Sequence, residues 1–229
     1  MSNHEVSSKL PENLLGTNVV RVLDELHNYA DVKDGEVLRG LVASDYDWWG
    51  SSPAENALAC RDAPLAVTRE AGLFLYALVR ATSARHVVEF GTSFGISTIY
   101  LAAALRDNGG GLVVSTEIES SKVARARENI AKASLTNYAD VIEGDARTTL
   151  ANRHAVIDLL FLDGWKDLYL QVLRISLANL RKGAVVLADD LVLEPEDVAD
   201  YLNFVRDPAN GFVSVTLPVS EGREFSVKT

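Results

Sequence analysis

From Pro64 to the C-terminus, short apolar runs alternate with amphipathic helical stretches, and that alternation leaves the chain few architectures to adopt. His86–Phe90, Leu112–Glu117, Ala139–Ile142, Ile157–Leu162 and Ala184–Ala188 read as strands, rich in β-branched and large apolar residues. Helical stretches follow them in turn. One runs through Leu105, and one carries Val123, Ala126 and Ile130. A short one follows Ile142, one runs through Leu180, and one lies around Val198 to Val205. Nearly continuous apolar strands need cover on both faces, which crossover helices of a parallel sheet supply. The pattern therefore predicts a doubly wound α/β domain, with its ligand beyond the carboxyl ends of the strands. Two further strands, Phe212 to Val219 and Glu224 to Val227, are expected at the end.

Upstream of Asp62 the texture changes to one helical stretch (Val19, Val20, Val22, Leu23, Leu26) and an aromatic cluster at Tyr46, Trp48 and Trp49. The expected division is a helical N-terminal extension over 1–62 and one α/β domain over 63–229. The extension would serve as a substrate lid or as contacts of a homodimer. Composition excludes several classes. With 229 residues, 48% apolar, the chain can bury a core without staples. The lone Cys60 rules out an internal disulfide and a CxxC zinc pair, and the four histidines are scattered. A net charge of −10 argues against nucleic-acid and anionic-membrane partners. No signal-peptide core and no run of roughly 20 apolar residues is found, so a soluble cytoplasmic protein is expected.

The chemistry should lie at the strand ends. The first strand runs into Glu89-Phe-Gly91-Thr-Ser93-Phe-Gly95-Ile-Ser97. No Lys follows Gly95, which excludes a P-loop, and Ser93 and Ile96 break the dinucleotide fingerprint. Two readings remain open: a plain tight turn, or an S-adenosylmethionine (SAM) turn with an acidic residue closing the strand before two glycines. Glu117 closes the second strand, where a carboxylate can accept both hydroxyls of a ribose, although a solvated glutamate is also consistent. Glu143-Gly-Asp145-Ala146 could face an adenine edge. The next two strands end in Asp163-Gly-Trp165-Lys166 and Asp189-Asp190. Three carboxylates on adjacent strands suit a hard divalent ion such as Mg²⁺, with Mn²⁺ or Ca²⁺ as alternatives. They are equally consistent with helix caps and turns. Lys166 is either a general base or a surface charge.

Taken together, Val-Val-Glu-Phe-Gly-Thr-Ser-Phe-Gly-Ile-Ser-Thr, Ser-Thr-Glu117-Ile118, Phe-Leu-Asp163-Gly-Trp-Lys166-Asp-Leu-Tyr and Leu-Ala-Asp189-Asp190 resemble the class I SAM-dependent O-methyltransferases. The closest likeness is to their cation-dependent catechol and caffeoyl-coenzyme-A group, over about Leu65 to Lys228. The resemblance implies a Rossmann-like, seven-stranded, mostly parallel sheet with an antiparallel last strand. It implies methyl transfer from SAM to a hydroxyl of a small dihydroxy aromatic. Asp163, Asp189 and Asp190 would hold the metal and Lys166 would act as base. On the cofactor side it implies Gly91, Ser97 and the backbone around Val67 at the methionine, Glu117 at the ribose, and Ala146 and Trp165 at the adenine. Glu89, Ser93, Gly95, Ile118, Asp145 and Asp163 complete the expected cofactor set.

Three departures stand out. Asp190 replaces the family's usual Asn, Gly164 replaces a His of the catechol enzymes, and no acidic counterpart for the second hydroxyl is found near Val215. Sparse Lys and Arg in the N-terminal third (isolated Lys33, Arg39, Arg61 and Arg69) favour a small phenol over a coenzyme-A thioester. The rival readings are a nicotinamide-dependent dehydrogenase, a non-catalytic SAM-binding protein and a metal-independent methyltransferase.

Overall fold

The computed structural model describes residues 10–11, 15–151, 153, 155–191, 197–219 and 222–229. Its centre is a seven-stranded sheet of order β3-β2-β1-β4-β5-β7-β6. The strands are β1 (His86–Phe90), β2 (Leu112–Glu117), β3 (Ala139–Glu143), β4 (Ile157–Leu162), β5 (Leu180–Ala188), β6 (Phe212–Leu217) and β7 (Arg223–Lys228). The first five run parallel, and β7 lies antiparallel between β5 and β6. Doubly wound topology, the expected seven strands and the antiparallel final strand are all present. Registry aligns the carboxyl ends: Phe90 stands beside Thr116 and Leu162, and Leu162 beside Ala188. The residues that follow these positions therefore meet at one rim.

Side-chain alternation splits the core in two. Leu159, Phe161, Val185 and Leu187 face one layer of helices, while Leu160, Leu162, Val186 and Ala188 face the other. The first layer contains α1 (Thr17–Ala43), α3 (Arg69–Thr82), α4 (Ile96–Asp107) and α5 (Ser120–Lys132). The second contains α6 (Ala146–Thr149), α7 (Tyr169–Ser176) and α8 (Ala199–Arg206). Helix α4 is buried continuously from Ile96 to Leu105, because it is wedged between the sheet and α1 and α3. Short α2 (Pro53–Ala59) is fixed by a Ser52/Glu55 capping box with Pro53 in its first turn. Among the described residues no helix is long and apolar enough to cross a membrane.

Several boundaries depart from expectation, β6 ending at Leu217 rather than Val219 among them. The helix after β4 ends at Ser176 rather than Leu180, and β5 starts at Leu180. The polar Arg181-Lys182-Gly183 segment hides those first strand residues, and a register shift opposite Ile157 to Leu159 accommodates them. Helix α1 reaches Ala43, far beyond the apolar stretch that marks its start. The buried side chains of it lie between Val19 and Ala30; from Asp31 onward the helix is largely exposed, although Val37, Leu38, Leu41 and Val42 recur there at helical spacing.

The packed half of α1 contributes a pH dependence. His27 is buried, and its Nε2 lies 3.1 Å from the Tyr100 hydroxyl. Burial, reinforced by the Arg69 charge, lowers its pKa from 6.5 to about 4 despite the opposing Asp31 and Asp24. The folded state thus favours neutral His27, so its contribution is complete above the unfolded value and is lost as pH falls through the folded one. Urea unfolding should show about 3 kcal/mol less stability near pH 4 than above pH 6.5 from this group. The loss should be absent in His27→Gln; an equal loss in that variant would assign it to other groups.

Candidate functional site

One cavity of about 360 Å³ opens at the carboxyl rim, within the range of small-molecule pockets. The turn after β1 forms part of its wall. Gly91 adopts φ 101°, and a Cβ there would lie 2.3 Å from the Asp163 carbonyl oxygen. The turn is tied to β2 by its backbone: the Ser93 N–H donates to Glu117 Oε2 at 2.8 Å. Glu117 Oε1 accepts from the N–H groups of Ile118 (2.9 Å) and Glu119 (3.0 Å). Three backbone donors hold this carboxylate rigidly on the cavity wall, with lone pairs left for a ligand.

Most of the expected cofactor set converges here. Val67, Gly91, Ser93 and Ser97 line the cavity near the turn, Glu117 and Ile118 beside them. Asp145, Ala146, Asp163 and Trp165 line it as well. Glu89 and Gly95 do not. Glu89 is fully buried behind the turn, accepting from Thr98 and Ser115 at 2.5 Å, and its Oε1 has no hydrogen-bond partner among the described residues. Burial raises its pKa although those hydroxyls oppose the shift. Gly95 instead starts α4 at φ 86°, close to Ala126. The Asp145 side chain caps α6 and pairs with Arg147, whose hydrogen bond lowers the aspartate's pKa.

Lys166 also lines the cavity, placed by the single-turn helix Lys166–Leu168. Its Nζ donates to Tyr169 Oη at 2.9 Å and lies 3.5 Å from Asp190 Oδ2. Tyr169 Oη in turn donates to the Asp189 carbonyl at 3.1 Å. Burial, then the nearby Asp163 carboxylate, drives the Tyr169 phenol well above its usual pKa, so it stays protonated. Asp163 is pushed upward too, first by burial and then by the charge of Asp189.

The acidic trio does meet at the rim, but its members differ. Asp163 and Asp190 line the cavity; Asp189 does not. Asp189 is buried in an ion pair with Arg223, Nη2 to Oδ2 2.8 Å, and its Oδ1 accepts the Asp190 N–H at 2.9 Å. The Asp189 charge is thus already neutralised by a buried guanidinium and lies outside the cavity lining, so the donor set as arranged does not fit a three-aspartate cation site. Among the described residues no group of three or more His, Cys, Asp and Glu is placed to hold a metal.

The aromatic cluster of the extension reaches the same cavity. Trp48 packs edge-on to Tyr46 at 5.1 Å, lies 6.3 Å from Trp165, and lines the cavity with Trp49. Tyr46 donates to Asn56 at 3.0 Å, so the cluster also fastens the extension. Sequence reasoning missed Lys122 and Arg223. Lys122 is buried, lines the cavity and donates to Ser93 Oγ at 3.2 Å; burial lowers its pKa against the pull of Glu117.

The sheet order, the glycine turn after β1 and the acidic end of β2 define a class I SAM-dependent methyltransferase. A family profile described as a methyltransferase domain matches residues 88–191. A catechol O-methyltransferase of Mycobacterium tuberculosis is 34% identical, over 62% of this chain and 67% of its own. The Mus musculus catechol O-methyltransferase is 30% identical over 83% of this chain and 69% of its own. The crystal structure of a Bacillus cereus O-methyltransferase with S-adenosylhomocysteine shares the fold, with a TM-score of 0.67 and 24% identity, over 89% of this chain and 100% of that one. The chain belongs to the SAM-dependent O-methyltransferases of the catechol and caffeoyl-coenzyme-A type.

Proposed function

We propose that this chain moves a methyl group from SAM to one hydroxyl of a small vicinal dihydroxy aromatic, with Lys166 taking the hydroxyl proton. The carrying observation is that Lys166, Tyr169-anchored, faces the same cavity as the Gly91 turn and the backbone-clamped Glu117. SAM supplies an already electrophilic sulfonium methyl, so the protein's task is to align an oxyanion for in-line attack.

The chain's residues divide that task. Gly91, Ser93, Ser97 and Val67 receive the methionine portion, and Glu117 receives the ribose hydroxyls. Ala146 and Trp165 flank the adenine. The acceptor ring lies between Trp48, Trp49 and Lys166, where the indole faces offer it a stacking surface. Asp190, next to Lys166, stabilises the ammonium that results from proton removal. The names of the catechol O-methyltransferase relatives support a hydroxyl acceptor.

Labelled SAM offered with catechol, a monohydroxy phenol and a caffeoyl ester tests the reading: methylation should favour catechol. Transfer to the monohydroxy phenol with equal efficiency would overturn the vicinal-diol preference. Glu117→Gln should weaken SAM binding about 10–100-fold by calorimetry, because one charged hydrogen-bonding arm is worth about 1.5–3 kcal/mol. Unchanged affinity would remove Glu117 from the ribose site.

A further inference from the structure

We infer that Arg223 is a built-in cation of the acidic rim, standing on Asp189 in place of a divalent ion, so that methyl transfer in this chain needs no metal. The inference rests on the hydroxyl-methylating reading above and states how that site balances its charge.

Topology creates the contact. β7 lies antiparallel to β5, with Ala188 opposite Glu224. One more step along each strand sets Asp189 opposite Arg223, although 34 residues separate them in sequence. The pair is sealed, with side chains 1% and 2% exposed. A second arm of the guanidinium donates from Nη1 to the Val219 carbonyl at 2.8 Å, which fixes the group against swinging away.

A divalent ion on Asp189 would have to coexist with this charge. The guanidinium nitrogen is 2.8 Å from Asp189 Oδ2, and a Mg²⁺–oxygen bond is about 2.1 Å, so an ion on that same oxygen would lie within roughly 5 Å of the nitrogen, and an ion on Oδ1 would still share one carboxylate with it. In a buried setting that repulsion is poorly screened. Displacing Arg223 instead would strand an unpaired buried charge, which is strongly unfavourable. The neighbouring carboxylate lies beside Lys166, 3.5 Å from Asp190, and the lysine becomes its monocation once it has taken the acceptor's proton. Asp189 is therefore balanced internally by Arg223 throughout, and Asp190, which brings a negative charge where the family has a neutral amide, is balanced as the base becomes charged.

Mn²⁺ serves as the probe, because its binding is read by electron paramagnetic resonance without any turnover. The wild-type protein should bind Mn²⁺ no tighter than about 1 mM, the weak end of protein cation sites. Its methyl transfer should change less than about twofold on adding EDTA, a difference well below 1 kcal/mol. Arg223→Met, which frees Asp189, should bind Mn²⁺ at least about tenfold more tightly. Arg223→Lys keeps the charge and should bind it as weakly as wild type. Micromolar Mn²⁺ binding by wild type that Asp189→Asn abolishes would overturn the inference, as would EDTA-abolished turnover restored by Mg²⁺. If Arg223→Met fails to fold, the wild-type and Asp189→Asn titrations still decide. Failure to methylate any phenol would count against the acceptor assignment and leave the Mn²⁺ result standing.

Discussion

Lys166→Met should reduce the rate of methyl transfer to a catechol by about 10²–10⁴-fold, the range for removing a positioned general base. SAM affinity should stay within about twofold, since Lys166 is assigned to the acceptor and not to the cofactor, and a twofold change is below 0.5 kcal/mol. The loss should fall on kcat, because proton removal is needed only as the new bond forms. Stability should hardly move: the Lys166–Asp190 contact is long at 3.5 Å and partly exposed on the Asp190 side. Tyr169→Phe provides the contrast. It removes the hydroxyl that accepts from Lys166 and donates to the Asp189 carbonyl, so it acts by loosening the lysine. A smaller fall, about tenfold, is expected from the loss of one such hydrogen bond. Activity of Lys166→Met within a few-fold of wild type would leave the proton to another acceptor and defeat the assignment.

The contrast between these residues and Arg223 shows what the sequence made legible. Strands apolar on both faces announce a parallel sheet, and in such a sheet strand ends are the site. Gly91, Glu117, Asp163, Trp165 and Lys166 could be located because each lies within a few residues of a strand's carboxyl end. Arg223 begins a strand that inserts antiparallel between β5 and β6, and nothing local marks it as the partner of Asp189. Lys122 was hidden for a related reason. It sits on a helix whose composition reads as solvent-facing, Ser-Ser-Lys-Val-Ala-Arg-Ala-Arg, yet it is buried against the glycine turn. The exposed half of α1 escaped although Val37, Leu38, Leu41 and Val42 keep a helical spacing, because Lys33, Asp34, Gly35 and Glu36 separate them from the apolar stretch at the helix's start and they bury little. Glu89 shows the opposite failure. Its place at a strand end suggested a cofactor contact, whereas it lies behind the wall, bound to Thr98 and Ser115.

Gly91 and Gly95 looked equivalent as glycines of one turn, and the structure predicts that they respond very differently to alanine. At Gly91 a Cβ would lie 2.3 Å from the Asp163 carbonyl oxygen and 2.8 Å from the Gly164 nitrogen, both backbone atoms that cannot rotate aside. The φ of 101° is itself outside the usual range of residues bearing a Cβ. Backbone strain of about 1–3 kcal/mol and overpacking of similar size should together lower stability by about 4 kcal/mol. For a chain of this length that is a melting-point drop of roughly 8–16 °C. At Gly95 the nearest atom would be the Ala126 Cβ at 3.3 Å, which can yield slightly, so Gly95→Ala should cost about 1–2 kcal/mol, mostly strain at φ 86°. Differential scanning calorimetry of the two variants separates the cases, and equal costs would show that the β1 turn does not depend on its approach to β4. The functional consequence follows from what Gly91 touches. Its clash is with the backbone that presents Asp163, Trp165 and Lys166, so even partial relief by moving β4's end outward would widen the gap between the cofactor wall and the base. Near-attack geometry tolerates little such displacement. Any Gly91→Ala protein that folds should therefore lose kcat well beyond its loss of SAM affinity, while Gly95→Ala should retain both.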